Sequence, residues 1–142
     1  MVAKQLSVFI ENRQGRLGEV LNVLKTNGVN ILSLSLADTT EYGLLRLIVN
    51  NPELGKEKLA EGGFSTMLTS VLILKINHQA GSLQGLLKIL SDNDVNIEYM
   101  YGLSIDGDEA SVVLKASDLA KADEVLAKNG VATLSSEEIC NI

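Results

Sequence analysis

Two short loops contain the residues of this chain that are best suited to hold a small ligand. The stretch "NRQGRL" begins at Asn12, and "HQAGSL" begins sixty-six positions later, at His78. In each loop a glycine precedes a helix-like run, so the free N–H groups and positive end of a helix would face a bound carboxylate. The glycine also removes a Cβ from the ligand's path.

This chemistry predicts a clamp for an amino-acid zwitterion, and a simple strand-to-helix turn is the alternative. The Asn12 amide fits a zwitterion because it can both donate and accept hydrogen bonds. The predicted ligand-binding residues of the loops are Asn12, Arg13, Gln14, Gly15, Arg16, Leu17, His78, Gln79, Ala80, Gly81, Ser82 and Leu83.

No group of residues in the sequence predicts catalysis. His78 is the only histidine, and it lacks an evident nucleophile or matched acid, so it either lines the loop site or lies on the surface. Arg13 and Arg16 either steer a carboxylate or are solvated loop charges. The run "DGDE", Asp106–Glu109, lacks the ligand spacing of a calcium loop and fits a hairpin turn. We therefore expect a protein that is not an enzyme and that uses no metal or cofactor.

The loops belong to a longer internal repeat. A shift of 66 positions aligns Leu6–Ile31 with Leu72–Ile97 without a gap, and ten of the aligned pairs are identical. Agreement of this kind indicates a duplicated domain. We predict two domains, 1–69 and 70–142.

Each copy reads as a strand, a helix, a hairpin, a second helix and a last strand. "QLSVFIE" alternates apolar and polar residues as strands do, whereas Leu17, Val20, Leu21 and Leu24 recur at helical spacing. The order βαββαβ predicts an α+β fold of two ferredoxin-like domains in tandem, each with an antiparallel sheet and helices on one face. At the junction, either the chain turns at Thr69–Ser70 or one strand serves both domains.

Composition excludes several classes of partner. A net charge of −6 is the wrong sign for nucleic acid, and the longest apolar run, "VLILKI", is too short to span a membrane. Cys140 is the single cysteine, and the sequence begins with no signal-peptide pattern. We expect a cytoplasmic protein.

The stretch "ENRQGRLGEVLNVLKTNGVNI" resembles the opening of ACT domains, and especially the serine-binding ACT domain of phosphoglycerate dehydrogenase. The resemblance covers nearly the whole chain as two tandem copies. It implies domains that pair side by side, with an amino acid held between them. It also implies that the "VNI" asparagines, Asn30 and Asn96, reach the effector from the neighbouring domain. Asn12–Leu17 would then face Asn96, and His78–Leu83 would face Asn30.

Some residues depart from the family pattern. Gln14 and Ala80 stand where a proline is usual, and Ile10 and Ile76 stand where serine-binding relatives have histidine, so the bound amino acid need not be serine. The sequence predicts a regulatory amino-acid sensor that acts on an enzyme of amino-acid metabolism and forms a homodimer. The alternative is an ACT module that binds no ligand and serves oligomerisation. A ferredoxin-like enzyme such as an acylphosphatase is disfavoured, because the loop lacks that family's arginine signature.

Overall fold

A computed structural model describes residues 1–38, 41–77, 79–104 and 109–140. The chain forms two compact units. We call Lys4–Thr69 with Ile139–Ile142 the N-terminal unit, and Ser70–Glu138 with Met1–Ala3 the C-terminal unit. The elements are β1 (Ala3–Glu11), α1 (Arg16–Thr26), β2 (Ile31–Asp38), β3 (Tyr42–Val49), α2 (Pro52–Glu61), β4 (Ser65–Asn77), α3 (Ser82–Asp92), β5 (Ile97–Ser104), β6 (Glu109–Ala116), α4 (Leu119–Lys128) and α5 (Ser136–Cys140).

The N-terminal unit contains strands in the order β2-β3-β1-β4, and the β2–β3 and β1–β3 pairs are antiparallel. Leu6 pairs with Leu47 and Val8 with Leu45, so alternate residues of β1 and β3 share one face of the sheet. That face forms the core with the helices, because these strand residues cluster with Val20 of α1 and other buried side chains. Helix α1 packs against α2 above it.

The C-terminal unit repeats this arrangement with the order β4-β6-β5. Leu72 pairs with Leu114, and both lie in a core with Leu86 and Leu90 of α3 and Leu126 of α4. The predicted fold class, α+β with ferredoxin-like βαββαβ units, is confirmed.

Helix ends follow the local signals in the sequence. Asn51 caps α2 by accepting the Leu54 N–H at 3.2 Å, and Pro52 occupies the first helical position. After α1 and α3, Gly28 and Asp94 adopt positive φ angles of 71° and 58°. These left-handed residues let the chain reverse into the next strand.

The junction between the copies is one uninterrupted strand. Strand β4 runs 13 residues through Thr69 and Ser70 without a turn. Its residues up to Thr69 belong to the N-terminal unit and those from Ser70 to the C-terminal unit. The structure therefore shows one strand that serves both domains and no turn at Thr69–Ser70.

The end of the C-terminal copy differs from the prediction. Instead of a last strand over 131–134, only Thr133 forms a bridge, to Leu74, before the short helix α5 begins. A capping box explains that helix: the Glu138 N–H donates to Ser135 Oγ at 3.2 Å, while the Ser135 N–H donates to Glu138 Oε1 at 3.4 Å. Within the described residues, the helices are too short or too polar to cross a bilayer.

Candidate functional site

The two repeated loops have the same backbone geometry. Gly15 precedes α1 with φ 86° and ψ −11°, and Gly81 precedes α3 with φ 86° and ψ −9°. The turns leading to them are also matched: the Arg16 N–H donates to the Arg13 carbonyl, and the Ser82 N–H donates to the Gln79 carbonyl, both at 3.2 Å. A positive φ near 86° is a conformation in which residues other than glycine are strained.

Both helix N-termini are open on the side of these glycines. The N-cap residues Gly15 and Gly81 make no side-chain cap hydrogen bond to the first turn of α1 or α3. A Cβ built on Gly15 or Gly81 would meet nothing within 4 Å, so the backbone can be approached closely. The two loops predicted to bind a zwitterion therefore lead into two helix N-termini of the same geometry without a side-chain cap from the glycine.

Most of the other predicted loop residues lie exposed around these turns. Asn12, Arg13, Gln14, Gln79 and Ala80 are exposed, whereas Leu17 and Ser82 are partly buried and Leu83 is 39% exposed. The Asn12 N–H donates to the Glu41 carbonyl at 2.9 Å, and Arg13 Nε lies 3.7 Å from Glu11 Oε2. His78 and Asp106–Asp108 lie outside the described residues.

Arg16 packs against other side chains of its own unit. Its guanidinium carbon lies 4.3 Å from the centre of the Phe64 ring, and its Nη1 is 2.6 Å from Glu19 Oε2. The side chain is only 18% exposed. In this structure the cation is stacked on an aromatic ring and neutralised by a carboxylate.

Asn30 and Asn96 lie far from the loops of their own units. Asn30 precedes β2, where its N–H donates to Asn50 Oδ1 at 2.8 Å and its carbonyl accepts from the Asn50 N–H at 3.1 Å, whereas Asn12 follows the opposite end of β1. Strand β3, with 8 residues, separates these ends by roughly 25 Å at about 3.3 Å per residue. Asn96 occupies the matching place before β5, where its amide donates to Ser117 Oγ at 3.0 Å. A single unit therefore cannot bring its own "VNI" asparagine to its own loop.

Two adjoining cavities lie beside the second loop, both within the C-terminal unit. One, of about 380 Å³, is lined by the loop itself, including Gln79, Ala80 and Leu83. The other, of about 480 Å³, extends between α3 and residues 130–132. Ile76, Asn77 and Ser82 line both.

Gly85, Ile89 and Val131 also line the larger cavity and were not among the residues predicted from the sequence. For Gly85, the repeat contains a signal, because the aligned helix residue of the first copy is Glu19. In the N-terminal unit a shallower cavity of about 410 Å³ lies next to Asn30, between the end of α1 and the start of β2.

Comparisons with known proteins agree with this architecture. Residues 1–142 match the family model described as an ACT domain pair. Protein BT0572 from Bacteroides thetaiotaomicron superposes with a TM-score of 0.94 and 36% identity, covering 100% of this chain and 98% of that chain. A search of the curated proteins finds no match.

More distant structures share the fold. The ligand-free regulatory subunit of aspartate kinase from Thermus thermophilus has a TM-score of 0.62 at 16% identity, covering 90% of this chain and 96% of that chain. The corresponding subunit from Thermus flavus has a TM-score of 0.58 at 16% identity, covering 89% and 95%.

Proposed function

The chain belongs to the family of ACT domain pairs, and we propose that it is a non-catalytic regulatory protein that binds a free amino acid at its β–α loops. The observation that carries this proposal is the pair of uncapped helix N-termini behind Gly15 and Gly81, with the same left-handed glycine geometry. Helix N–H groups there would bind the carboxylate, and side-chain oxygens such as that of Asn12 would accept from the ammonium.

An asparagine from a second ACT domain would complete each site. Asn30 and Asn96 are the candidates from the family resemblance, and their distance from the loops of their own units favours a neighbouring domain as their place of action. The readout would be a change in how ACT domains associate, since a ligand shifts such an equilibrium by its differential affinity for the two states.

The partner would be an enzyme of amino-acid metabolism or a second copy of this chain, in a cytoplasmic setting. Regulatory subunits of aspartate kinase share the fold, which supports a role in controlling an enzyme. Homodimers would supply the additional domains for pairing.

The test is calorimetric titration of the whole chain with each of the twenty amino acids. We expect at least one to bind, and Gly81→Val or Gly15→Val to weaken that binding, because a β-branched side chain would cover the N–H groups at its helix end. Gly63→Val is the matched control, since Gly63 has φ 88°, also has open space around it and lies outside the loops. Binding that survives in both loop variants would contradict the proposal.

A ligand-free oligomerisation module is the second candidate. The packing of Arg16 against Phe64 and Glu19 favours it for the N-terminal unit, because the guanidinium is already stacked on the ring and paired with the carboxylate. Titrations in which no amino acid binds would support this candidate over the sensor.

A further inference from the structure

We infer that the ligand cavity is confined to the C-terminal unit and takes a small carboxylic acid with a branched aliphatic chain. This rests on the proposed function and narrows it to one loop and one class of amino acid. Three observations carry the inference: the internal repeat, the chemistry of the cavity lining, and the size of the two adjoining cavities.

The repeat shows why the two units differ. Ser82, Gly85 and Val131 line the large cavity of the C-terminal unit. Their counterparts in the N-terminal unit are Arg16, Glu19 and Phe64, read from the two aligned loops, helices and post-helix turns.

Among these three counterparts, Arg16 contacts both of the others. Arg16 stacks on Phe64 at 4.3 Å and pairs with Glu19 at 2.6 Å. The N-terminal copy thus fills with its own side chains the region that the C-terminal copy leaves open. At Gly85 an added Cβ would meet nothing within 4 Å, which agrees with open space on that side of α3.

The lining of the open cavity selects for an anion with an apolar body. Among the described residues that line it, Lys75 is the one charged residue and none is acidic, although the protein as a whole carries a net charge of −6. The Ser82 hydroxyl and the Asn77 amide add hydrogen-bonding groups near the open end of α3. A carboxylate suits this end of the cavity.

The rest of the lining is aliphatic. Leu86, Ile89 and Val131 face the cavity away from the loop. An aliphatic side chain would bury apolar surface there, whereas a polar one would lose its hydrogen bonds to water without compensation. Volumes of about 480 and 380 Å³ lie in the range of small-molecule pockets and leave ample space for a branched amino acid.

The experiment is calorimetric titration of the full chain with four probes. Leucine has the carboxylate, the ammonium and the branched chain, and asparagine replaces that chain with a polar one of similar shape. The 2-oxo acid 4-methyl-2-oxopentanoate lacks the ammonium, and 3-methylbutylamine lacks the carboxylate. We expect leucine to bind with one site per chain, ahead of asparagine and the amine.

Variants locate the site. Gly85→Leu places a side chain into the cavity from a helix that accepts leucine, and we expect it to weaken leucine binding by about tenfold or more, as a misfit in an apolar pocket does. Gln84→Leu, at the neighbouring exposed position outside the cavity lining, should leave the affinity unchanged. The paired change Arg16→Ser with Glu19→Gly should open a second, weaker site in the N-terminal unit.

The outcomes separate this inference from the proposed function. Leucine binding that ignores Gly85→Leu, a preference for asparagine or the amine, or two sites per wild-type chain would overturn the inference and leave amino-acid sensing intact. Binding of the 2-oxo acid without binding of any amino acid would support the cavity and overturn amino-acid sensing. Absence of binding by every probe and every amino acid would reject both.

Discussion

At the scale of single residues, Arg16 shows that the type and position of a residue do not by themselves predict its contacts. Its type and position fitted either a carboxylate-steering role or a solvated charge, and in the structure it packs against Phe64 and Glu19 with only 18% of the side chain exposed. Phe64 lies 48 residues further along the chain, so the residues of the loop alone could not predict this contact. By contrast, the glycines were predictable, since a strand-to-helix turn needs a residue that tolerates positive φ.

The exposed pair Glu124–Lys128 gives a pH-dependent prediction at this scale. Lys128 Nζ lies 2.9 Å from Glu124 Oε1, and this hydrogen bond and charge lower the pKa of the Glu124 carboxyl. Because the folded pKa lies below the unfolded one, the stabilisation is complete above the ordinary carboxyl pKa and is lost as pH falls through the lowered value.

Replacement of Lys128 by Met should therefore raise the pKa of Glu124 toward its ordinary value. An NMR titration of the Glu124 side-chain carboxyl carbon measures it, with Lys115→Met, on strand β6, as the control. An unchanged pKa in Lys128→Met would show that the ion pair does not persist in solution.

At the scale of elements, apolar periodicity and helix-capping residues predicted most of the helices and strands. The stripes at Leu17–Leu24 and Leu83–Leu90 gave α1 and α3, and Asn51 with Pro52 gave the start of α2. The missed helix α5 did have a local signal, the capping box of Ser135 and Glu138, but its 5 residues carry too little periodicity to reveal a helix. For the cavity beside α3, the repeat shows only that Gly85 stands where the first copy has Glu19, because the cavity itself depends on packing between distant segments.

Two helical glycines differ in what an added methyl group would meet. A Cβ on Gly55 in α2 would lie 3.0 Å from Leu6 Cδ2 and 3.4 Å from Leu24 Cδ2, both fully buried, whereas one on Gly18 in α1 meets nothing within 4 Å. Gly18→Ala should raise the free energy of unfolding by about 0.5–1 kcal/mol, the usual gain for alanine in a helix.

Gly55→Ala should fail to show that gain, because crowding in the core offsets it. Urea denaturation of the two variants and the wild type makes the comparison. Equal stabilisation by both changes would mean that the helix α2 shifts freely to accommodate the methyl group.

At the scale of the whole molecule, β4 is the feature that joins the copies. Because one hydrogen-bonded strand contributes to both units, we expect the units to unfold together rather than one after the other. Leu24→Ala and Leu90→Ala remove matched, fully buried side chains from the two cores, and each should lower the free energy of unfolding by about 2–5 kcal/mol.

Hydrogen exchange tests the coupling directly. With Leu24→Ala, amides of α3 in the other unit should exchange faster as well, whereas Leu34→Ala, at a position 48% exposed, should change little. Acceleration confined to the mutated unit would show that β4 does not transmit the loss of stability.

The stacking of Arg16 on Phe64 also predicts the shape of a ligand-binding curve. If these side chains fill the site of the N-terminal unit, an isolated chain binds one ligand molecule. Its occupancy then rises with ligand concentration along a simple hyperbola. Any sigmoidal curve would then have to arise from communication between separate chains.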